Sequence, residues 1–275
     1  MATQKPANYG RAGRDLRAAT VVGLSLIAAL AVALVLSTVV FAVMVSLVMV
    51  VTVHELLTAL SSTLPRLVRL AVYLAAPAMV MSAYWGGSDA LLASFVASGL
   101  LVLTVRLPMG QDQYVSHVSR AILVLFYGPL LASFAVLLVT SDHGVQKVIA
   151  LVLLTIATDL GGYAAGVLFG SHPMAPKISP KKSWEGFIGA IVVQVTTGTL
   201  LWHFLFHHAW WQGFVVGVIM VITATLGDLI ESVIKRDLGI KDMSQLLPGH
   251  GGVMDRLDSL VVNAFIAWAL FSLFL

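Results

Sequence analysis

Long apolar runs, broken at intervals by short polar stretches, dominate this chain from Val21 onward. A helix crosses a bilayer with roughly 17 to 25 largely apolar residues. Windows of that kind fall near 19-36, 37-53, 68-85, 88-105, 120-140, 146-169, 186-206, 212-233 and 257-275. The runs are continuous and rich in Leu, Val and Ala, whereas a membrane barrel alternates apolar and polar positions over segments of about ten residues. The pattern therefore predicts an all-α integral membrane protein with about nine transmembrane helices. The stretch from Val21 to Val53 is uninterrupted. At 1.5 Å per residue it would reach roughly 50 Å, too long for one crossing, so a break is expected near Ser37-Thr38. The first apolar run is also too long for the core of a signal peptide and is expected to be retained.

Composition agrees with a bilayer as solvent. Of 275 residues, 59% are hydrophobic and 11% charged, and mean hydropathy is +0.96, where soluble domains carry about a quarter charged residues. The absence of cysteine removes disulfides, zinc-thiolate sites and a catalytic thiol from consideration. A net charge of +3 records topology in such a protein rather than nucleic-acid binding. With nine spans, one side of the membrane collects 15 of the 16 Lys and Arg residues, leaving only Lys147 opposite. By the positive-inside rule this predicts a cytoplasmic N-terminus and a C-terminus on the opposite side. No repeat divides the chain. It reads as a cytoplasmic segment over 1-18 followed by one polytopic domain over 19-275.

Candidate chemistry is concentrated near the C-terminus. The run from Gly227 to Ser259 holds six of the thirteen acids, which sets it apart from every other loop. Asp228, Glu231 and Lys235 share one helical face, as do Asp255 and Asp258, so two carboxylate-bearing faces are able to meet across the intervening loop. Acids at the end of a membrane helix need pairing, hydration or a metal. A cluster of oxygen ligands suits a hard cation such as Mg²⁺, which takes one or two carboxylates and completes its shell with substrate phosphates. Lys235, Arg236, Lys241 and Arg256 fit the charge of a polyphosphate, and Gly249, Gly251 and Gly252 permit close backbone approach to phosphate oxygens. There is no Walker A pattern, so a nucleotide bound here is not held by a P-loop.

A second group runs from Asp159 to Gly189. Asp159 lies inside an apolar span, where it either ties to a neighbouring helix or lines a hydrated cavity. Gly161, Gly162 and Gly166 allow close helix contact. Around Ser179, Lys181 and Lys182 a basic loop is expected, with Ser183 as helix N-cap and Glu185 in the first turn. Glu55 is expected to be a water-exposed carboxylate at a helix end. His203, His207 and His208, with Trp202, Trp210 and Trp211, read as an aromatic belt at the opposite surface.

The residues from Ser232 to Asp258 resemble the signature of phosphatidate cytidylyltransferases, also called CDP-diacylglycerol synthases. The pattern S-x-x-K-R-x4-K-D-x5-P-G-H-G-G-x2-D-R-x-D is met without a gap by Ser232, Lys235, Arg236, Lys241, Asp242, Pro248, Gly249, His250, Gly251, Gly252, Asp255, Arg256 and Asp258. The upstream block is similar too, through Asp159, Gly161, Tyr163, Gly166, Pro176, Lys177, Ser179, Pro180, Lys182, Ser183 and Gly186, although Ser171 stands where many members carry Lys. The resemblance implies a catalytic part over about 155-260, facing the cytoplasm from a bacterial inner membrane. It implies Mg²⁺ on Asp228 and Asp255, with a monovalent cation such as K⁺ sharing the site. Catalysis would involve Asp228, Lys235, Asp255, Arg256 and Asp258. Substrate would be bound by Asp159, Ser179, Lys182, Ser183, Glu231, Ser232, Arg236, Lys241, Asp242, His250, Gly251 and Gly252. CTP and phosphatidate, itself a membrane lipid, are the implied substrates and a homodimer the implied assembly. A secondary transporter with intramembrane acids is the alternative, but it gives no reason for the Pro-Gly-His-Gly-Gly turn. The D-x2-D-G-x2-A-R pattern of CDP-alcohol phosphotransferases is absent, and a related enzyme with another lipid acceptor would share the same loops.

Overall fold

The structure, a computed structural model, describes residues 16–60, 63–246 and 251–275. Among these the chain forms α1 (Leu16–Leu36), α2 (Thr38–Leu60), α3 (Arg66–Arg106), α4 (Tyr114–Leu125), α5 (Leu131–Val139), α6 (Gly144–Phe169), α7 (Trp184–Leu200), α8 (Trp210–Asp237) and α9 (Met254–Phe274), with a short hairpin, β1 (Pro173–Ala175) and β2 (Ser179–Ser183), between α6 and α7. Seven segments are long and apolar enough to cross a membrane: Thr38–Leu60, Arg66–Met109, Tyr114–Val139, Gly144–Phe169, Trp184–Leu205, Trp210–Asp237 and Met254–Phe274. A shorter apolar stretch, Gly23–Leu36, lies in α1. Most of the expected N-terminal segment, residues 1–15, lies outside the described residues, as does His250.

The expected break falls at Ser37, whose Oγ accepts a hydrogen bond from Val40 N at 3.2 Å. Ser37 thus caps α2 with its own side chain. Windows 68-85 and 88-105 are the two arms of α3, which bends at Gly87 (φ 68°, ψ −157°). That left-handed conformation is one that glycine adopts without Cβ strain. Helices α4 and α5 run on through a π-helical turn, Phe126–Leu130, that contains Pro129. Proline has no N–H to donate, and a π-turn accommodates the missing bond.

The hairpin is the one departure from an all-helical chain among the described residues. Pro173 pairs with Ser183 and Ala175 with Ser179 across the antiparallel ladder. Three prolines and a basic run obscure it in the sequence, since these residues are depleted from strands. Its far end leads into α7 as expected: Ser183 Oγ accepts from Gly186 N at 3.1 Å, and Glu185 stands in the first turn. Glu185 also accepts from Ser171 N at 3.1 Å and His172 N at 3.2 Å, closing the loop before β1.

Glycines set how closely the C-terminal helices approach. A Cβ on Gly161 would fall 2.6 Å from Gly189 O, and one on Gly189 would fall 2.8 Å from Gly161 O, so α6 and α7 touch backbone to backbone. Gly198 and Gly213 do the same for α7 and α8, a Cβ on Gly198 meeting Gly213 O at 2.6 Å. Small residues give membrane helices the dispersion contact that the hydrophobic effect does not supply in lipid. The belt expectation needs correcting at Trp202. It is fully buried, its ring 5.0 Å from Phe271 and 5.1 Å from Phe206. Trp210 and Trp211 are exposed, as a belt requires. Trp202 differs because α7 continues beyond Leu200 through a π-turn, Leu201–Leu205, and Trp202 on that turn faces α9.

Replacement of Gly189 by Leu is expected to destabilise the protein by about 1–3 kcal/mol, the usual range for overpacking, because Ala165 Cβ and the backbone oxygen of Gly161, neither of them the end of a flexible side chain, stand in its way. Thermal unfolding of detergent-solubilised protein measures this, and an unchanged midpoint would contradict the contact.

Candidate active site

Helices α8 and α9 meet at Gly227, where a Cβ would lie 2.7 Å from Asp258 O. The contact sets Asp228 beside the first turns of α9. Tyr127, buried on the π-turn after α4, donates its hydroxyl to Gly227 O at 3.3 Å. Along α8 the expected shared face divides in two. Asp228 meets Lys182 of β2, with Nζ 2.7 Å from Oδ2, and receives Ser232 Oγ at 3.3 Å. Glu231 turns inward, fully buried, and takes Lys235 Nζ at 2.5 Å. The two carboxylate faces do meet across the loop, through that lysine: Lys235 Nζ also lies 2.7 Å from Asp255 Oδ1. Asp255 Oδ2 accepts from Met243 N at 2.9 Å and Gly252 N at 2.7 Å.

Beside this buried strap lies a cavity of about 220 Å³ between α6, α7 and α8. Asp159, Lys181, Lys182, Ser183, Asp228 and Ser259 supply its polar wall, while Tyr163, Phe187, Ala190 and Ala224 supply much of its apolar one. Of the two readings of Asp159, the structure gives the cavity-lining one. Asp228 and Asp258 lie within electrostatic reach of it, with Lys182 and Arg256 opposing them. Asp258 Oδ1 is held by Ser259 N at 2.6 Å and Ser259 Oγ at 3.1 Å.

Oxygen-only donors of this kind suit Mg²⁺. Among the described residues no three acidic or histidine side chains converge into a ready-made ion cage. Asp228 is presented to the cavity, 37% exposed, and its Oδ1 accepts from Ser232 Oγ. Asp255 faces Lys235 instead, and both of its oxygens accept hydrogen bonds.

Glu55 requires the largest correction. It is 2% exposed rather than open to water. Its Oε1 accepts from Ser244 Oγ at 2.6 Å and Val253 N at 2.8 Å, and its Oε2 from Met254 N at 2.8 Å. A position at the end of an apolar helix gave no sign that a loop almost two hundred residues later would cover it.

Residues 17–274 match the family model described as the cytidylyltransferase family. The chain belongs to that family. A protein named phosphatidate cytidylyltransferase from Mycobacterium bovis is 41% identical over 287 residues, covering 99% of this chain and 94% of the relative. The protein of the same name from Mycobacterium leprae is 38% identical over 294 residues, covering 98% and 92%. That from Haemophilus influenzae is 43% identical over 123 residues, or 43% of each chain.

Within this cytidylyltransferase the expected site residues fall into three groups. Asp159, Lys182, Ser183 and Asp228 line the cavity, and Asp258 stands behind them next to Ser259. Glu231, Lys235 and Asp255 form the buried strap. Further out, Lys241 and Asp242 are exposed on the loop after α8. Arg236 donates to Ile178 O at 3.2 Å and Ile240 O at 3.4 Å, while Ser179 sits in β2 opposite Ala175. Gly251 adopts φ +80°, yet what lies against it is Asp255, whose Oδ2 would be 2.9 Å from an added Cβ. Lys181, Thr225 and Ser259 were not singled out by sequence as cavity residues. A Ser one place after an Asp-Arg-x-Asp run and a second Lys beside Lys182 are the only signals they leave.

The two lysines differ in how much stability they carry. Lys235 is 13% exposed between acids that are 0% and 4% exposed, and removing one partner of a buried pair costs about 3–5 kcal/mol. Lys182 and Asp228 are 22% and 37% exposed, and such pairs contribute about 0–1 kcal/mol. Lys235→Met is therefore expected to lower the thermal midpoint sharply while Lys182→Met leaves it almost unchanged. Equal shifts would contradict this division.

Proposed function

We propose that this chain is a phosphatidate cytidylyltransferase, converting CTP and phosphatidate to CDP-diacylglycerol and pyrophosphate. The observation that carries the proposal is similarity along almost the whole chain to proteins of that name. The half-polar, half-apolar cavity beside paired lysines and acids supports it, because the acceptor is an anionic headgroup on a lipid.

In this reading the catalytic part spans about 155-260. A phosphate oxygen of phosphatidate attacks the α-phosphorus of CTP, the bond from that phosphorus to the α,β-bridging oxygen breaks, and pyrophosphate leaves with the electron pair. Phosphate monoesters are ionised near neutral pH, so no general base is assigned. Asp228 and Asp255 are the residues proposed to hold Mg²⁺, which when bound neutralises phosphate charge. Lys182 at the cavity, with Lys235 and Arg256, is proposed to offset the remaining negative charge and align the reacting groups. Asp159 and Ser183, in the polar wall, and Glu231 and Ser232 on α8 are further proposed substrate-binding residues. The loop residues Arg236, Lys241, Asp242, His250, Gly251 and Gly252, with Ser179, complete the proposed nucleotide surround, and K⁺ is the proposed second ion.

We also propose nine crossings, with α1 and each arm of α3 spanning once. At 41 residues, α3 would measure about 60 Å if straight, twice the hydrocarbon thickness. Together with the one-sided distribution of Lys and Arg, this supports a cytoplasmic N-terminus, a cytoplasmic-facing site in a bacterial inner membrane and a C-terminus on the opposite side. A homodimer is proposed by resemblance.

Purified protein supplied with Mg²⁺, radiolabelled CTP and phosphatidate is expected to release pyrophosphate and form a CDP-lipid. Asp228→Asn and Asp255→Asn should reduce the rate by at least about 100-fold, the scale of lost charge stabilisation at a reacting centre. Wild-type product no greater than that of the two variants would sink the assignment.

A further inference from the structure

Glu55 is a buried acid that the proposed chemistry does not use. It belongs to α2, yet every hydrogen bond described for it reaches the loop between α8 and α9 or the start of α9. Val253 and Met254 are the N-cap and first residue of α9, and Val253 has no side-chain oxygen with which to cap the helix. The first amides of a helix have no partner within it. Glu55 supplies that cap from another helix, as a carboxylate in the position that the helix dipole favours.

Asp255 does the matching work on the same neck of chain, receiving Met243 N and Gly252 N. Two carboxylates therefore grip the two ends of one loop, Glu55 at Ser244 and at Val253–Met254, Asp255 at Met243 and Gly252. The adjacent glycines make room for them. A Cβ on Gly251 would lie 2.9 Å from Asp255 Oδ2, and one on Gly252 would lie 2.9 Å from both oxygens of Glu55. This explains two consecutive glycines by what stands against each.

We propose that Glu55 is a positioning residue for the transfer reaction: from α2 it fixes the first turn of α9 and the neck of the preceding loop, and so sets where Asp255 and its Lys235 partner stand. The inference rests on the phosphatidate cytidylyltransferase reading for its activity arm and on geometry alone for its structural arm. Glu55→Gln keeps the size of the side chain but places an NH₂ group opposite a backbone N–H, so one bond is lost and the charge with it.

Three quantities test this in the full-length protein in detergent: turnover at saturating CTP, the Mg²⁺ concentration for half-maximal rate, and hydrogen exchange of the peptide covering Gly252–Met254. For Glu55→Gln the turnover should fall about 10–100-fold with a several-fold rise in the Mg²⁺ midpoint, the usual effect of removing a group that orients a ligand. Exchange at 252–254 should accelerate at least about tenfold, as for a lost charge-assisted bond. Ser244→Ala removes only the loop-side bond and is expected to shift the same quantities in the same direction by less; it decides the matter if Glu55→Gln fails to fold. Wild-type exchange and Mg²⁺ midpoint in both variants, or activity lost only in proportion to unfolded protein, would overturn the proposal. If wild-type protein forms no CDP-lipid, the functional reading fails, and exchange still decides the role of Glu55.

Discussion

Charge buried at one end of a membrane bundle has to be matched, and the contact on which that end depends is Lys235 set between Glu231 and Asp255. One ammonium joins α8 to α9. Without it two nearly inaccessible carboxylates would face each other in a low dielectric, where an unpaired charge is far more costly than at the surface. Asp255 passes the constraint onward to the loop through two backbone amides. Glu55 extends it to α2. A single pairing requirement thus organises three helices and the loop joining two of them.

The second constraint is distance. Carboxylates on α6, α8 and α9 come into electrostatic reach of one another because the intervening helices approach at glycines. Gly161 and Gly189 bring α6 onto α7, Gly198 and Gly213 bring α7 onto α8, and Gly227 brings α8 onto α9. With larger residues at these points the helices would stand several ångströms further apart. The cavity would lose the opposition of Asp159 and Asp228 across it. Packing in lipid and the chemistry of the site are two consequences of the same small residues.

Much of this was legible in the sequence. Apolar run length placed the helices, the serine at 37 marked the break between α1 and α2, and Ser183 announced the start of α7. The spacing of Asp228, Glu231 and Lys235 foretold a charged face on α8. Spacing along one helix is local, however, and says nothing of what lies opposite. Glu231 and Asp228 are three residues apart, yet one is sealed against α9 and the other opens on the cavity. Glu55 was misread for the same reason: its burial comes from residues 244–254, and no local pattern encodes such a partner. Trp202 was misread because a π-turn alters which direction a residue faces, and a regular helical period does not register it. The hairpin was hidden by prolines that a two-stranded edge tolerates.

The two lysines show how such a site stays both stable and available. Lys182 and Asp228 form a partly exposed pair that contributes little to stability, so substrate charges are able to replace either partner at small cost. Lys235 is different. It is held by two acids in a nearly dry setting, so moving it would leave buried carboxylate charge unmatched. The partly exposed pair is therefore the one free to rearrange, and the buried pair is the fixed frame beside it.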